Sequence, residues 1–326
     1  MPMRILLTAD WHIKLGQKNV PKEWAISRYK SFFDRISELS DSHDLHIISG
    51  DIFDRLPNLE ELEIYFEFVA GCKIPTIITT GNHEAESRKS SFLERLKKPT
   101  LYANSLVTIS TEIESSAEHG FYDAEFYLVP YECIKKKETW DNLPRAPVFT
   151  HVRGAIEPHV KPEISLDWLD KFPVVFAGDL HSHQNTQRNI VYPGSPMTTS
   201  FHRNLTKNTN GFISIDTNDW SWTWKDFELP QLIRKTITDK SDMIKTDFHH
   251  TIYELEGTID SVSGEIEDKE LLDKKIVTRN SVSTLALNDK MTIAQELEQY
   301  LDWVLNIDNI TPIMEAYYEH RNTENT

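Results

Sequence analysis

The sequence predicts an α/β sandwich followed by a smaller C-terminal α+β region. Three observations predict it. Through the first 236 residues, short apolar runs of strand length alternate with amphipathic stretches of helical period, a pattern that packs helices on sheets. Several of those runs end in glycine followed by Asp or Asn, as strands do where the chain turns sharply. The charge then changes: Ile237–Thr326 carries 8 basic and 19 acidic residues, against 27 and 32 before it. Pro230 and the polar run Thr236–Asp242 lie near that change. It sets the expected division into a first domain, 1–235, and an acidic C-terminal region, 236–326.

Each element has its own signal. Arg4–Ala9, Leu45–Ser49, Ile74–Thr80, Val148–Thr150 and Val174–Ala177 are apolar runs that read as buried strands. Trp24–Leu39 places Tyr29, Phe32, Phe33 and Ile36 on one side of a helix, and Leu59–Ala70 has the same spacing. Gly211–Asp216 and Trp220–Phe227 read as a hairpin turning at Thr217-Asn218-Asp219. The alternating Trp220, Trp222 and Trp224 form one face of it rather than a base-stacking platform. Thr251–Leu255 is strand-like. Thr292-Ile293-Ala294-Gln295 is a capping-box pattern. It opens a helix with Ile293, Leu297, Tyr300, Leu301, Val304 and Leu305 on one face, which either closes the small region's own core or docks on a partner. Thr311-Pro312 starts a last helix, with proline at its first position.

The 326 residues carry a net charge of −16 and are 39% hydrophobic and 26% charged, enough apolar residues for a core, which excludes a disordered chain. Two cysteines, Cys72 and Cys133, far apart, exclude a disulfide scaffold or a cysteine-rich zinc module and point to a reducing, cytoplasmic setting. No apolar run reaches the roughly 18 residues of a membrane span, and Met1–Ala9 is too short for a signal peptide. The acidity disfavours a protein that grips nucleic acid by bulk positive charge. It leaves room for one that does so through bound cations, which locally reverse the sign of a cleft.

The chemistry gathers where the strands end. The five runs lead into Asp10-Trp11-His12, Gly50-Asp51-Ile52-Phe53-Asp54, Gly81-Asn82-His83-Glu84, His151 and Gly178-Asp179-Leu180-His181-Ser182-His183. Sites in open α/β sheets form beyond the carboxyl ends of strands, so these groups are expected to converge. Carboxylates, imidazoles and one carboxamide suit two divalent first-row metals sharing a carboxylate. The several imidazoles point to Mn, Fe, Zn or Co rather than to the all-oxygen sites of Mg²⁺ or Ca²⁺.

The order DxH, GDxxD, GNHE, H, GDxH resembles the calcineurin-like metallophosphoesterases. Within them it is most similar to the SbcD-type (Mre family) DNA nucleases, on GDIFD at 50–54 and on Tyr192-Pro193-Gly194-Ser195-Pro196. The resemblance covers about residues 4–205, and the length is that of compact, phage-type members. It implies a four-layer β-sandwich flanked by helices, with a smaller C-terminal α+β capping domain. It implies that Asp10 and His12 hold a first metal, that Asp51 bridges both, that Asn82 and His151 hold the second, and that His181 returns to the first. His83 would contact the scissile phosphate and assist the leaving oxygen, and Asp54 would face substrate or stand behind the ligands. Where the family has GH, this chain has Gly178-Asp179. Either Asp179 replaces that histidine at the second metal, or His181-Ser182-His183 is the histidine pair displaced by two residues; Gly178 favours the first.

The activity so implied is two-metal DNA hydrolysis, most readily with Mn²⁺. It combines exonuclease action on duplex ends with endonuclease action on single strands, in DNA repair, recombination or replication. The implied partner is an SMC-like, ABC-type ATPase in a two-plus-two complex. Three rivals stand beside it. A Ser/Thr protein phosphatase shares GDIFDR and GNHE, but Leu56 and Thr80 stand where those enzymes carry glycine and arginine. A small cyclic-nucleotide phosphodiesterase has the same fold. A non-catalytic DNA-end-binding subunit would use its metals only structurally.

Overall fold

The computed structural model describes residues 2–87, 90–257, 269–277, 291–304 and 309–323. Two sheets form its centre. The first contains β1 (Arg4–Thr8), β2 (Leu45–Ser49) and β3 (Thr76–Thr79). A small hairpin follows, β4 (Ala85–Ser87) and β5 (Ser90–Ser91), and then β6 (Val107–Ser110) completes the parallel run β1-β2-β3-β6. The second sheet is built from β7 (Glu114–Ser115), β8 (Tyr127–Val129), β9 (Val148–His151), β10 (Val175–Gly178) and β11 (Ile190–Val191). Its strands β8 to β11 are parallel. The hairpin β12 (Gly211–Asp216) and β13 (Trp222–Asp226) then pairs antiparallel with β1 and closes the first sheet.

Period-two alternation decides which side chains lie between the sheets. Ile5, Leu7, Ile47 and Ile77 face Phe126, Leu128, Phe149 and Phe176 in the inner core. Their neighbours Leu6, Ile48 and Ile78 point the other way, into a layer with α1 (Lys22–Leu39), α2 (Leu59–Gly71) and α3 (Leu93–Ala103). Val148, Val175 and Ala177 pack outward against α4 (Lys137–Asn142) and the turn Leu166–Leu169 through Trp140 and Leu169. The result is four layers, helix–sheet–sheet–helix, as expected. Tyr29, Phe32 and Ile36 form the buried side of α1. The start of α2 is set by an Asn58–Glu61 capping box.

A third sheet is formed by β14 (Leu232–Ile237), β15 (His250–Gly257) and β16 (Leu272–Val277). It therefore straddles residue 235. By contacts the chain separates into Met1–Leu255 with Ile266–Lys274, and Glu256–Glu265 with Lys275–Thr326. In the second unit the capping box at Thr292 opens Ile293–Gln299, and Thr311–Thr323 is the last helix.

The apolar face of that unit differs from expectation. Ala294, Leu297 and Leu301 pack with Ile310, Met314 and Tyr317, whereas Ile293 and Tyr300 are 69% and 44% exposed. The reason is local: Ala294, Leu297 and Leu301 recur at i, i+3 and i+7, so the buried stripe is centred one residue past Ile293 and Tyr300 and leaves both at its edge. Leu297 and Leu301 thus serve this unit's own core. The side chain of Val304 and all of Leu305 lie outside the described residues. Among the described residues no helix is long and apolar enough to cross a membrane.

Candidate metal centre

The parallel strands bring their carboxyl ends to one edge, where the backbone leaves them by unusual turns. Asp10, His12, Asp51 and Asp179 all have positive φ, at 56°, 46°, 52° and 99°. This conformation is uncommon for residues with a side chain and clusters at functional sites. The glycines are there for space. A Cβ on Gly50, itself at φ +80°, would stand 2.5 Å from His151 Nδ1; one on Gly178 would stand 2.2 Å from the Ser49 carbonyl oxygen. Either would push the loops apart.

The side chains so placed converge on Asp51. Its Oδ2 lies 3.5 Å from His151 Nε2, 3.7 Å from His12 Nε2 and 3.9 Å from His83 Nε2. His12 Nε2 and His181 Nε2 face each other at 2.9 Å. Among the described residues, donor atoms within 4.8 Å of one another form three sets: Asp10, His12 and His181; His12, Asp51 and His83; and Asp10, Asp51 and His151. His151 donates from Nδ1 to the Ser49 carbonyl at 2.9 Å, which turns the Nε2 lone pair inward. The Asn82 oxygen lies 2.9 Å from that nitrogen. Reversing the amide would instead let its nitrogen donate to His151 Nε2 and, at 3.1 and 3.3 Å, to Asp179 Oδ1 and Asp51 Oδ2. With oxygen inward and His151 neutral at Nε2, four acceptors face one point, and a divalent cation that displaces the His151 proton satisfies them. The donor set therefore fits divalent metal.

Electrostatics agree with that fit. Burial, with Asp51 and Asp179 adding to it, pushes the Asp10 carboxyl well above its ordinary range against the pull of His151. Burial pushes His12 well down, helped by His181, His83 and His151. His151 is driven down by burial, yet Asp51, Asp10 and Asp179 carry it up to about 9. Clustered carboxylates hold protons that a divalent ion displaces.

Several expected residues have supporting rather than inward positions. Asp54 pairs with Lys14 at 2.8 Å and lies 3.7 Å from His12 Nδ1. That places it on the outer side of His12, where a carboxylate orients a ligating imidazole. His183 stacks on Trp224 at 4.9 Å and 12°, with Nδ1 2.6 Å from the Tyr192 carbonyl oxygen. Among the described residues it belongs to none of the three donor sets, an arrangement that suits Asp179 and His181 better than a motif displaced by two residues. We expect His183→Ala to leave metal content unchanged while lowering the unfolding temperature; metal loss measured by elemental analysis would reinstate the displaced motif. Ser195, in the Tyr192–Pro196 stretch, lies with Oγ 2.7 Å from the Asp10 carbonyl oxygen, and its N–H donates to the His181 carbonyl at 3.1 Å. The stretch thus ties the first and last loops together.

Two residues have roles that the sequence reading did not assign. Glu84 is 0% exposed and accepts from the backbone N–H groups of Asp51, Gly81 and Phe53 at 2.9, 2.8 and 2.9 Å. It clamps the second and third loops together. Burial, then Asp51, push its carboxyl up to about 8. Leaving buried donors unmet costs about 1–3 kcal/mol each, so Glu84→Leu is expected to destabilise the metal-free protein by about 3 kcal/mol or more in denaturant unfolding. A change below about 1 kcal/mol would mean that the clamp is dispensable. The other is Arg153, which forks onto Asp179. Its only sequence signal was its place two residues after His151. A cleft of about 480 Å³ opens beside the cluster, lined by Asp51, Asn82, His83, Arg153, Asp179 and His181, and also by Asn185, Thr199 and Ser200.

Residues 3–183, more than half of the chain, match the calcineurin-like phosphoesterase family. The chain belongs to the calcineurin-like phosphoesterases. This phosphoesterase is 41% identical over 309 residues to "Probable exonuclease subunit 1" of Escherichia phage T5, a match covering 91% of this chain and 92% of that one. It is 31% identical over 94 residues to the D component of the SbcCD nuclease of Rhodobacter capsulatus, covering 26% and 22% of the two chains. The family expected from the five strand-end motifs is thus borne out, and the phosphoesterase has side chains placed to hold metal ions.

Proposed function

We propose that this phosphoesterase is the nuclease subunit of a two-metal DNA-cleaving enzyme. The observation that carries the reading is the convergence on Asp51 Oδ2 of His12, His83 and His151, in a chain so similar to the phage exonuclease subunit over nearly its whole length. Asp10, His12 and His181 would hold one ion. Asn82, His151 and Asp179 would hold the other, with Asp51 between them. Bound there, the ions supply Lewis-acid stabilisation of the phosphoryl oxygens and a nucleophile at neutral pH. The protein's own part is to orient and to move a proton. His83 donates from Nδ1 to the Asp54 carbonyl at 2.5 Å, which points Nε2 at the site. In its protonated form that nitrogen can give its proton to the departing sugar oxygen.

The neutral polar residues Asn185, Thr199 and Ser200 line the cleft. They suit a sugar–phosphate strand held without a basic patch. The acidic C-terminal region, residues 236–326, would serve a partner, an SMC-like, ABC-type ATPase in a two-plus-two assembly working in the cytoplasm, that of the host if the chain is phage-encoded.

The test is cleavage of end-labelled duplex and single-stranded DNA with EDTA, Mg²⁺ or Mn²⁺, beside a phosphopeptide. Cleavage abolished by EDTA and faster in Mn²⁺ than in Mg²⁺ is expected from the imidazole-rich donor set. Phosphopeptide hydrolysis without DNA cleavage would replace this reading with a protein phosphatase.

A further inference from the structure

Arg153 and Asp179 come from neighbouring strand ends. In the β9–β10 pairing His151 is in register with Gly178. Arg153 follows two residues after the one, and Asp179 directly after the other. Their side chains meet as a fork, Nε to Oδ2 at 2.8 Å and Nη2 to Oδ1 at 3.0 Å. The carboxylate end is 3% exposed and the guanidinium end 41%. Asp179 is held at its backbone too, where its N–H donates to Asp10 Oδ1 at 2.9 Å.

The surroundings give this pair its purpose. Asp10, Asp51 and Asp179 are three carboxylates on one site. Among the described residues, Arg153 is the only lysine or arginine paired with any of them. A carboxylate beside two others, left free to rotate, would turn toward water in the cleft. The fork prevents this: planar guanidinium matched to planar carboxylate fixes both oxygens at once. It holds Asp179 Oδ1 3.8 Å from His151 Nε2, beside the Asn82 carboxamide, and it offsets the third negative charge.

We infer that Arg153 is a positioning residue which, by forking onto Asp179, forms the half of the site made by Asn82, His151 and Asp179 and thereby sets its affinity for divalent metal. The inference rests on the two-metal reading above. Arg153 acts through Asp179 and has no contact with the reacting atoms in this role.

The test is calorimetric titration of Mn²⁺ into the metal-free full chain without DNA, in wild type, Arg153→Met, Asp179→Asn and the double variant. Wild type is expected to show two sites. Arg153→Met should weaken one of them by about 10–100-fold, the usual effect of removing a group that orients a ligand, and leave the other unchanged. Asp179→Asn should weaken the same site, and the double variant should bind no worse than Asp179→Asn alone, because the two residues act as one unit. Arg153→Lys keeps the charge but not the fork, so it should still bind several-fold more weakly than wild type. It carries the test if Arg153→Met does not fold, and wild-type metal binding by Arg153→Lys would overturn the role of the fork. Two normal sites in Arg153→Met with a raised KM for DNA would overturn the inference and make the guanidinium a substrate contact. A wild type that binds a single Mn²⁺ would instead overturn the two-metal reading, and this inference with it.

Discussion

Asp51→Asn is expected to empty both halves of the site at once. Asp51 is buried, and its Oδ2 lies within 3.9 Å of three imidazoles that belong to different loops. Its Oδ1 accepts the His83 backbone N–H at 2.9 Å. A carboxamide keeps the shape and that hydrogen bond but gives up the negative charge that, in the proposed two-metal site, would let one oxygen serve two cations. Activity should fall below detection at ordinary metal concentrations, and metal analysis after desalting should find neither ion. Retention of one ion at wild-type affinity would show that Asp51 is not shared. The backbone around it is expected to survive, since Glu84 holds the Asp51 N–H.

His83→Gln should separate chemistry from binding. Geometry alone admits His83 as a donor, because His12, Asp51 and His83 form one of the three sets. Yet its side chain is 37% exposed, and it lines the cleft, where a departing oxygen would be. As an acid rather than a ligand, its loss should lower the single-turnover rate by about 10²–10⁴-fold with metal content unchanged. A substrate whose leaving group needs no proton, such as a nitrophenyl phosphodiester, should be spared much of that loss. Loss of an ion in His83→Gln would instead make this histidine a ligand.

The two predictions concern residues that the sequence already singled out, and the reason they were legible is physical. A parallel strand buried on both faces reads as an unbroken apolar run, so Arg4–Thr8, Leu45–Ser49 and Val175–Gly178 mark their own ends. Each end is followed by polar groups that an apolar run would not otherwise carry. The helices α1 and α2 announce themselves by period. The short strands Tyr127–Val129 and Val107–Ser110 did not. The last apolar face was also set off centre, since both Ile293 and Ala294 fit a 3.6-residue count and only packing with Ile310, Met314 and Tyr317 selects Ala294.

What the sequence determined by itself is therefore the layered α/β architecture and the identity of the converging groups, both written in local periodicity and in glycines at strand ends. Only the tertiary structure decided how those groups divide their work. It set His183 against Trp224 and away from the donors, Asp54 behind His12, Glu84 across three backbone amides, and Arg153 onto Asp179. Each of these depends on which atoms of two distant segments come within hydrogen-bonding or stacking range, and that is settled by the packing of the two sheets, not by spacing along the chain.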